Sequence, residues 1–192
     1  MTRLYLITHA HTRQDPQADT TKWQLSELGL QQAMILADQP FWNQVDRIVL
    51  SSELKTRLTV EPLLKQRHLP IVVDARFDEL QRPGWVVDYT AQVQQAFFEP
   101  DIPAGEWEPA SQALARFLRG IKHLRQQFPG ETLALVGHGL TLSLYRADLL
   151  GKRTVELAEW QQLSFTAQAM VDPVAKTILQ DFRPLAGEIP RG

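Results

Sequence analysis

Short apolar runs and amphipathic stretches alternate along most of this chain. Leu4-Tyr5-Leu6-Ile7 is continuously apolar and gives way at once to polar residues, the pattern of a strand buried on both faces. From Thr8 to Gln24 the sequence is polar and aperiodic and contains Pro16, which predicts a long loop. Loops of that length inside a compact domain usually carry function. Ser26 is placed to cap a helix with Glu27 in its first turn. Leu25 and Leu30 stand at the spacing of a hydrophobic staple, and Leu30, Ala33, Met34 and Ala37 mark the expected buried face. Arg47-Ile48-Val49-Leu50 predicts a second strand. Ser51-Ser52 can then cap a helix from Glu53 to Gln66, which Pro62 should kink or shorten. Pro70-Ile71-Val72-Val73 predicts a third strand.

Residues 76–103 carry less pattern, apart from a helix candidate over Tyr89–Phe98. Pro109 suits the first turn of a long helix. Ala110, Ala113, Leu114, Phe117, Leu118, Ile121 and Leu124 follow at helical spacing, and Pro129-Gly130 stops it. Thr132–Val136 is the clearest buried strand. Gly137-His138-Gly139 interrupts it, a helix is expected from Leu140 to Leu150, and weaker strands are expected near Leu163–Val171 and Thr177–Gln180. Residues 1–182 thus form one α/β domain, a mostly parallel sheet with helices on both faces. Residues 183–192, with Pro184, Gly187, Pro190 and Gly192, are expected to be a loose tail. In such sheets ligands bind outside the carboxyl ends of the strands, and His9, Ser51 and His138 all fall at such ends.

Composition narrows the function classes. The 192 residues suffice for one full hydrophobic core, and a net charge of −2 gives no electrostatic reason to expect nucleic acid or an anionic membrane as partner. No stretch approaches the roughly 20 apolar residues of a membrane span, and the short apolar start is no signal-peptide core, so a cytoplasmic protein is expected. The absence of cysteine removes disulfides, thiolate metal sites and cysteine nucleophiles, and fits a reducing compartment.

Two histidines remain as the candidate chemistry. His9 is followed by Ala10-His11-Thr12, and His138 lies between Gly137 and Gly139. Imidazole is largely neutral and nucleophilic near neutral pH, and a neighbouring glycine lets backbone N–H groups approach an anion. Around these residues the chain resembles the histidine phosphatase superfamily, which includes the phosphoglycerate mutases. Leu4–Thr12 resembles its opening strand and Arg-His-Gly-Glu-Thr motif. Leu25–Ala33 resembles its Leu-Thr/Ser-x-x-Gly-x-x-Gln-Ala helix, and Ser51–Glu61 its Ser-x-x-x-Arg-Ala-x-x-Thr-Ala-Glu block. Arg76-Phe77-Asp78-Glu79 resembles Arg-Leu-x-Glu, and Leu135–Gly139 the closing Val-x-His-Gly.

The resemblance implies a phosphoglycerate mutase-like fold and a phosphatase acting through a phosphohistidine, with no cofactor and no metal. His9 would be the nucleophile, His138 the second pocket histidine that donates to the phosphate, and Glu79 the general acid. Lys55 stands where the family has its second phosphate-binding arginine, and Thr8 where it has the first. A lysine offers a point charge and a threonine only a hydroxyl in place of a bidentate guanidinium. Arg13, Arg57 or Arg82 could restore positive charge, and Arg13 is nearest to the motif, so Lys55, Thr8, Arg13 and Gly139 form the expected phosphate-binding set. Asp15 would repel phosphate if it points inward. The expected partner is a phosphorylated small molecule or a phosphoprotein, and phosphatase is favoured over mutase because the chain is short. Two rivals stand beside this. His9-x-His11 also suits a zinc hydrolase, although the usual barrel for that motif is longer, about 250 residues. Thr8 suits a catalytically silent relative that binds a phosphorylated ligand or partner.

Overall fold

The computed structural model describes residues 3–185; the rest of the expected tail, positions 186–192, lies outside the described residues. The chain forms β1 (Arg3–Thr8), α1 (Glu27–Ala37), β2 (Arg47–Leu50), α2 (Leu54–Gln66), β3 (Ile71–Val73), α3 (Tyr89–Phe98), α4 (Ala110–Gln127), β4 (Thr132–Gly137), α5 (Gly139–Leu149), α6 (Leu157–Gln161), β5 (Gln168–Asp172) and β6 (Thr177–Arg183). The six strands make one sheet in the order β3-β2-β4-β1-β5-β6. The first four are parallel, while β5 runs antiparallel to β1 and β6 antiparallel to β5.

The sheet is buried on both sides, which is why its inner strands read as unbroken apolar runs. Leu4, Leu6, Leu133 and Leu135 face Phe117 and Leu124 of α4 and Tyr145 of α5. The alternate residues Tyr5, Ile7, Ala134 and Val136 face Leu36 of α1, Trp42, and Val60 and Leu63 of α2. Central position in the sheet and coverage by helices on each side fix β1 and β4 rigidly.

Several expectations are corrected. The face of α1 is rotated from the expected one: Leu30 and Met34 are 54% and 53% exposed, while Gly29, Gln32, Ala33, Leu36 and Ala37 are buried. The reason is the close approach of Gly29 to a backbone carbonyl, described below, which turns a small-residue face inward. Pro62 does not shorten α2, which runs on to Gln66. The expected strand from Leu163 starts only at Gln168, because α6 and the turn after it occupy the preceding residues. β6 runs to Arg183, and Leu185 is buried beside the α1–α2 core, so the chain is packed three residues beyond Phe182.

Candidate active site

Parallel pairing of β1 with β4 places Thr8 opposite Gly137, so the residues that follow, His9 and His138, emerge side by side at the carboxyl edge of the sheet. Their ring centroids are 5.3 Å apart. The end of β2, next to β4, brings Ser51 to the same edge. Its hydroxyl lies 2.7 Å from His138 Nε2.

The loop after β1 is held by its backbone. The His9 N–H donates to the Gly137 carbonyl (2.9 Å), the Ala10 N–H to Thr59 Oγ1 (2.9 Å) and the His11 N–H to Gln32 Oε1 (2.9 Å). Helix α1 closes against this loop at Gly29, where a Cβ would lie 1.9 Å from the His11 carbonyl oxygen. Only glycine lets the two backbones approach so closely. Ser26 caps the helix through the Gly29 N–H (3.1 Å) and also bonds His11 Nδ1 (2.7 Å).

These contacts set the state of the two imidazoles. His9 Nδ1 lies 2.8 Å from the Ala10 carbonyl, which can only accept. The proton is therefore on Nδ1, and Nε2 carries the lone pair. Burial, then the neighbouring His138 and the Lys55 ammonium, hold the His9 pKa well below the ordinary imidazole range, so the ring is neutral and nucleophilic at neutral pH. His138 is fully buried, and burial followed by Lys55 keeps it neutral as well. His138 Nε2 faces the Ser51 hydroxyl, and Nδ1 has no hydrogen-bond partner among the described residues. When that nitrogen carries the ring proton, it is an unsatisfied buried donor beside the nucleophile, suited to an anionic oxygen.

Glu79 follows a 3-10 turn at Ala75–Phe77 and is 8% exposed. Its carboxyl accepts from the N–H groups of Leu140 (3.1 Å) and Thr141 (3.0 Å), at the start of α5, and of Leu80 (3.0 Å). Burial raises its pKa, opposed by the charge of Arg82 and by the Leu140 N–H. Arg116 of α4, which the sequence reading missed, pins this segment. Its guanidinium donates to the carbonyls of Arg76 (3.0 Å), Asp78 (3.0 Å) and Glu79 (3.2 Å) and pairs with Glu108 at 2.9 Å. Nothing in the spacing along α4 marks Arg116, because the carbonyls it holds lie 37–41 residues away in sequence.

The expected phosphate-binding set divides. Lys55, 2% exposed, stands near both histidines, but its ammonium is paired with Glu53, a buried carboxylate at the N-cap of α2 that the sequence reading also missed. Glu53 further accepts the Glu79 N–H at 2.7 Å and lies 3.5 Å from His138 Nε2. Thr8 is buried and donates its hydroxyl proton to the Ser164 carbonyl at 2.8 Å. Gly139 opens α5, and a Cβ there would lie 3.2 Å from Trp160 Nε1. Arg13 and Arg57 are exposed. Asp15 is exposed too, and its carboxylate is turned back on the Gln17 N–H.

A cleft of about 510 Å³ opens over this arrangement, lined by Thr8, His9, Lys55, Glu79, Arg82 and Gly139. Arg13 and His138 are not among the residues that line it, and His138 is fully buried next to His9. Arg82 thus joins Lys55 as a cation of the cleft wall, and its guanidinium stacks over Tyr89 at 5.3 Å from the ring centre. The outer walls are aromatic, from Trp23, Trp85, Trp160 and Phe165. Among the described residues no group of three or more His, Asp or Glu side chains is placed to hold a metal ion, and His11, the second histidine of the zinc alternative, bonds Ser26. The arrangement brings a neutral nucleophile and a carboxyl group with a raised pKa to the wall of one cleft.

The chain matches the family model described as histidine phosphatase superfamily (branch 1) over residues 4–172. Among solved structures it is similar to Bacillus stearothermophilus YhfR, at 20% identity and a TM-score of 0.75, covering 99% of this chain and 98% of that one. It is also similar to a mycobacterial glucosyl-3-phosphoglycerate phosphatase, at 20% identity and a TM-score of 0.72 over 95% and 98% of the two chains. A phosphoserine phosphatase variant from Entamoeba histolytica, solved with phosphoserine, matches at 20% identity and a TM-score of 0.67 over 88% and 90%. Identities of this size establish a shared fold. No curated protein matches the chain.

Proposed function

The chain belongs to branch 1 of the histidine phosphatase superfamily, and on that premise we propose that it hydrolyses a phosphomonoester through a phosphohistidine on His9. One observation carries this reading. The Nδ1–H of His9 is committed to the Ala10 carbonyl, which leaves Nε2 as a lone-pair nitrogen, 5.3 Å ring to ring from a second neutral histidine with an unpartnered nitrogen.

In the first step His9 Nε2 attacks phosphorus as the ester P–O bond breaks. The leaving oxygen takes a proton from Glu79, whose raised pKa favours the acid form. The three backbone N–H groups on its carboxyl hold the group in place. In the second step Glu79, now a carboxylate, takes a proton from water as the water oxygen attacks phosphorus. The P–N bond breaks, and neutral His9, inorganic phosphate and protonated Glu79 are regenerated. His138 Nδ1–H and Lys55 stabilise the oxygens that gain charge. The substrate is a phosphorylated small molecule or a phosphorylated protein side chain. We place the reaction in the cytoplasm, in keeping with a chain that has no cysteine and no helix, among the described residues, long and apolar enough to cross a membrane.

The test is hydrolysis of p-nitrophenyl phosphate by wild type and His9→Ala, with acid-labile phosphate trapped on the wild-type protein alone. Equal inertness of both proteins over a broad panel of phosphomonoesters would refute the enzyme reading. A silent binder of a phosphorylated ligand or partner is the second reading, favoured by Thr8 and Lys55, both already engaged within the protein. It expects phosphate binding without turnover.

A further inference from the structure

We propose that Glu53 is a buried counter-anion paired with the cleft lysine. It competes with the bound phosphoryl group for Lys55 and so limits the anion affinity of the site. The inference rests on the reading of this pocket as a phosphoryl site, and names the residue that sets which phosphoryl groups it accepts.

Lys55 and Glu53 are 2% and 5% exposed, so their pairing is little screened by solvent. The pair is asymmetric. One carboxylate oxygen of Glu53 accepts the Glu79 N–H at 2.7 Å and lies 3.5 Å from His138 Nε2, and the other holds the Lys55 ammonium. The carboxylate is therefore anchored to the segment that carries the acid, and cannot withdraw without uncoupling Glu79. Lys55 reaches its partner through a flexible four-carbon stem and is the half that can turn. Charges around the pair offer little relief. His9 and His138 are neutral, burial raises the Glu79 pKa, and Arg82, the other cation of the cleft wall, stacks on Tyr89.

A phosphoryl group drawn to Lys55 thus meets a carboxylate already held on the same ammonium. With a threonine hydroxyl committed to Ser164 where a second cation would otherwise stand, the site favours a singly charged phosphoryl group over a doubly charged one.

Titration with inorganic phosphate, followed calorimetrically or by phosphorus NMR, tests this in wild type, Glu53→Gln, Lys55→Gln and the double variant, with thermal melts to confirm folding. Glutamine keeps an oxygen for the Glu79 N–H and removes the charge. Glu53→Gln is expected to bind phosphate about tenfold to a hundredfold more tightly than wild type, the scale of one charge-assisted contact. Lys55→Gln is expected to bind more weakly, and the double variant to return towards wild type. A folded Glu53→Gln that binds phosphate no more tightly overturns the proposal. If that variant does not fold, Lys55→Arg replaces it. Its five donors can serve Glu53 and phosphate together, so tighter binding is expected, and unchanged or weaker binding overturns the proposal. Absence of phosphate binding in every variant, with wild type inert towards aryl phosphates, refutes the phosphoryl reading and this inference with it. An active wild type with no gain in either variant refutes the counter-anion alone.

Discussion

Replacing Gly29 by alanine sets two physical effects against each other. Gly29 lies in the first turn of α1 with no positive φ, so helix propensity alone favours alanine by about 0.8–1 kcal/mol. Sterics act the other way. The added Cβ would lie 1.9 Å from the His11 carbonyl oxygen and 3.0 Å from its carbon. A carbon–oxygen contact normally needs about 3.3 Å, so loop and helix must separate by roughly 1.4 Å. The His11 peptide cannot yield freely, since its N–H is held by Gln32 and its carbonyl by the Ser26 N–H at 3.1 Å. Overpacking of this kind costs about 1–3 kcal/mol, which for a chain of this size lowers Tm by about 2–12 °C. The same loop carries His9, and a misplacement of about 1 Å costs on the order of a hundredfold in rate. Gly29→Ala is therefore expected to lower both Tm, by calorimetry, and kcat on an aryl phosphate. A variant that melts at or above the wild-type temperature with its kcat intact would show that propensity wins and that no close approach constrains the loop.

Three further outcomes are expected. His9 and His138 are held neutral when folded and titrate near 6.5 when unfolded, so the unfolded chain binds more protons below that pH; stability should fall as pH drops below about 6.5, by up to about 2.7 kcal/mol per pH unit for the two groups. Urea unfolding between pH 5 and 7.5 measures this, and a flat profile contradicts the neutral assignment. Arg116→Met removes the donor to the carbonyls of Arg76, Asp78 and Glu79 and the cation paired with Glu108, and should cost about 2–4 kcal/mol. Because Arg116 positions Glu79 and does not line the cleft, kcat should fall more than KM changes; a lowered Tm with kcat untouched assigns it to stability alone. Arg82→Ala should raise KM by about tenfold, the lower scale of one lost charge-assisted contact. It should also move the basic limb of the pH–rate profile upward, since the Arg82 charge pulls the Glu79 pKa down against burial; an unmoved limb separates Arg82 from the acid.

The strands and most helices were legible because burial on both faces leaves an unmistakable apolar run, as in β1 and β4, and because Ser26 and Pro109 mark helix starts. The apolar face of α1 was misread for a physical reason. Periodicity weighs Leu30 and Met34 by their side chains, whereas the helix is seated by the one residue that has none, Gly29.

The sequence by itself determined the fold class, the positions of His9 and His138 at strand ends, and the two motif blocks that include Lys55 and Glu79, since each is encoded locally by pattern or motif. Only the tertiary structure decided which groups share a pocket and in what state. Register between β1 and β4 sets the two rings 5.3 Å apart, a backbone carbonyl fixes the His9 tautomer, and Arg116 reaches across 37 residues to hold Glu79. It also turned Arg13 out to solvent, put Arg82 in the cleft wall and set Glu53 against Lys55. Protonation, pairing and direction of a side chain depend on neighbours distant in the chain, and a one-dimensional pattern does not carry those distances.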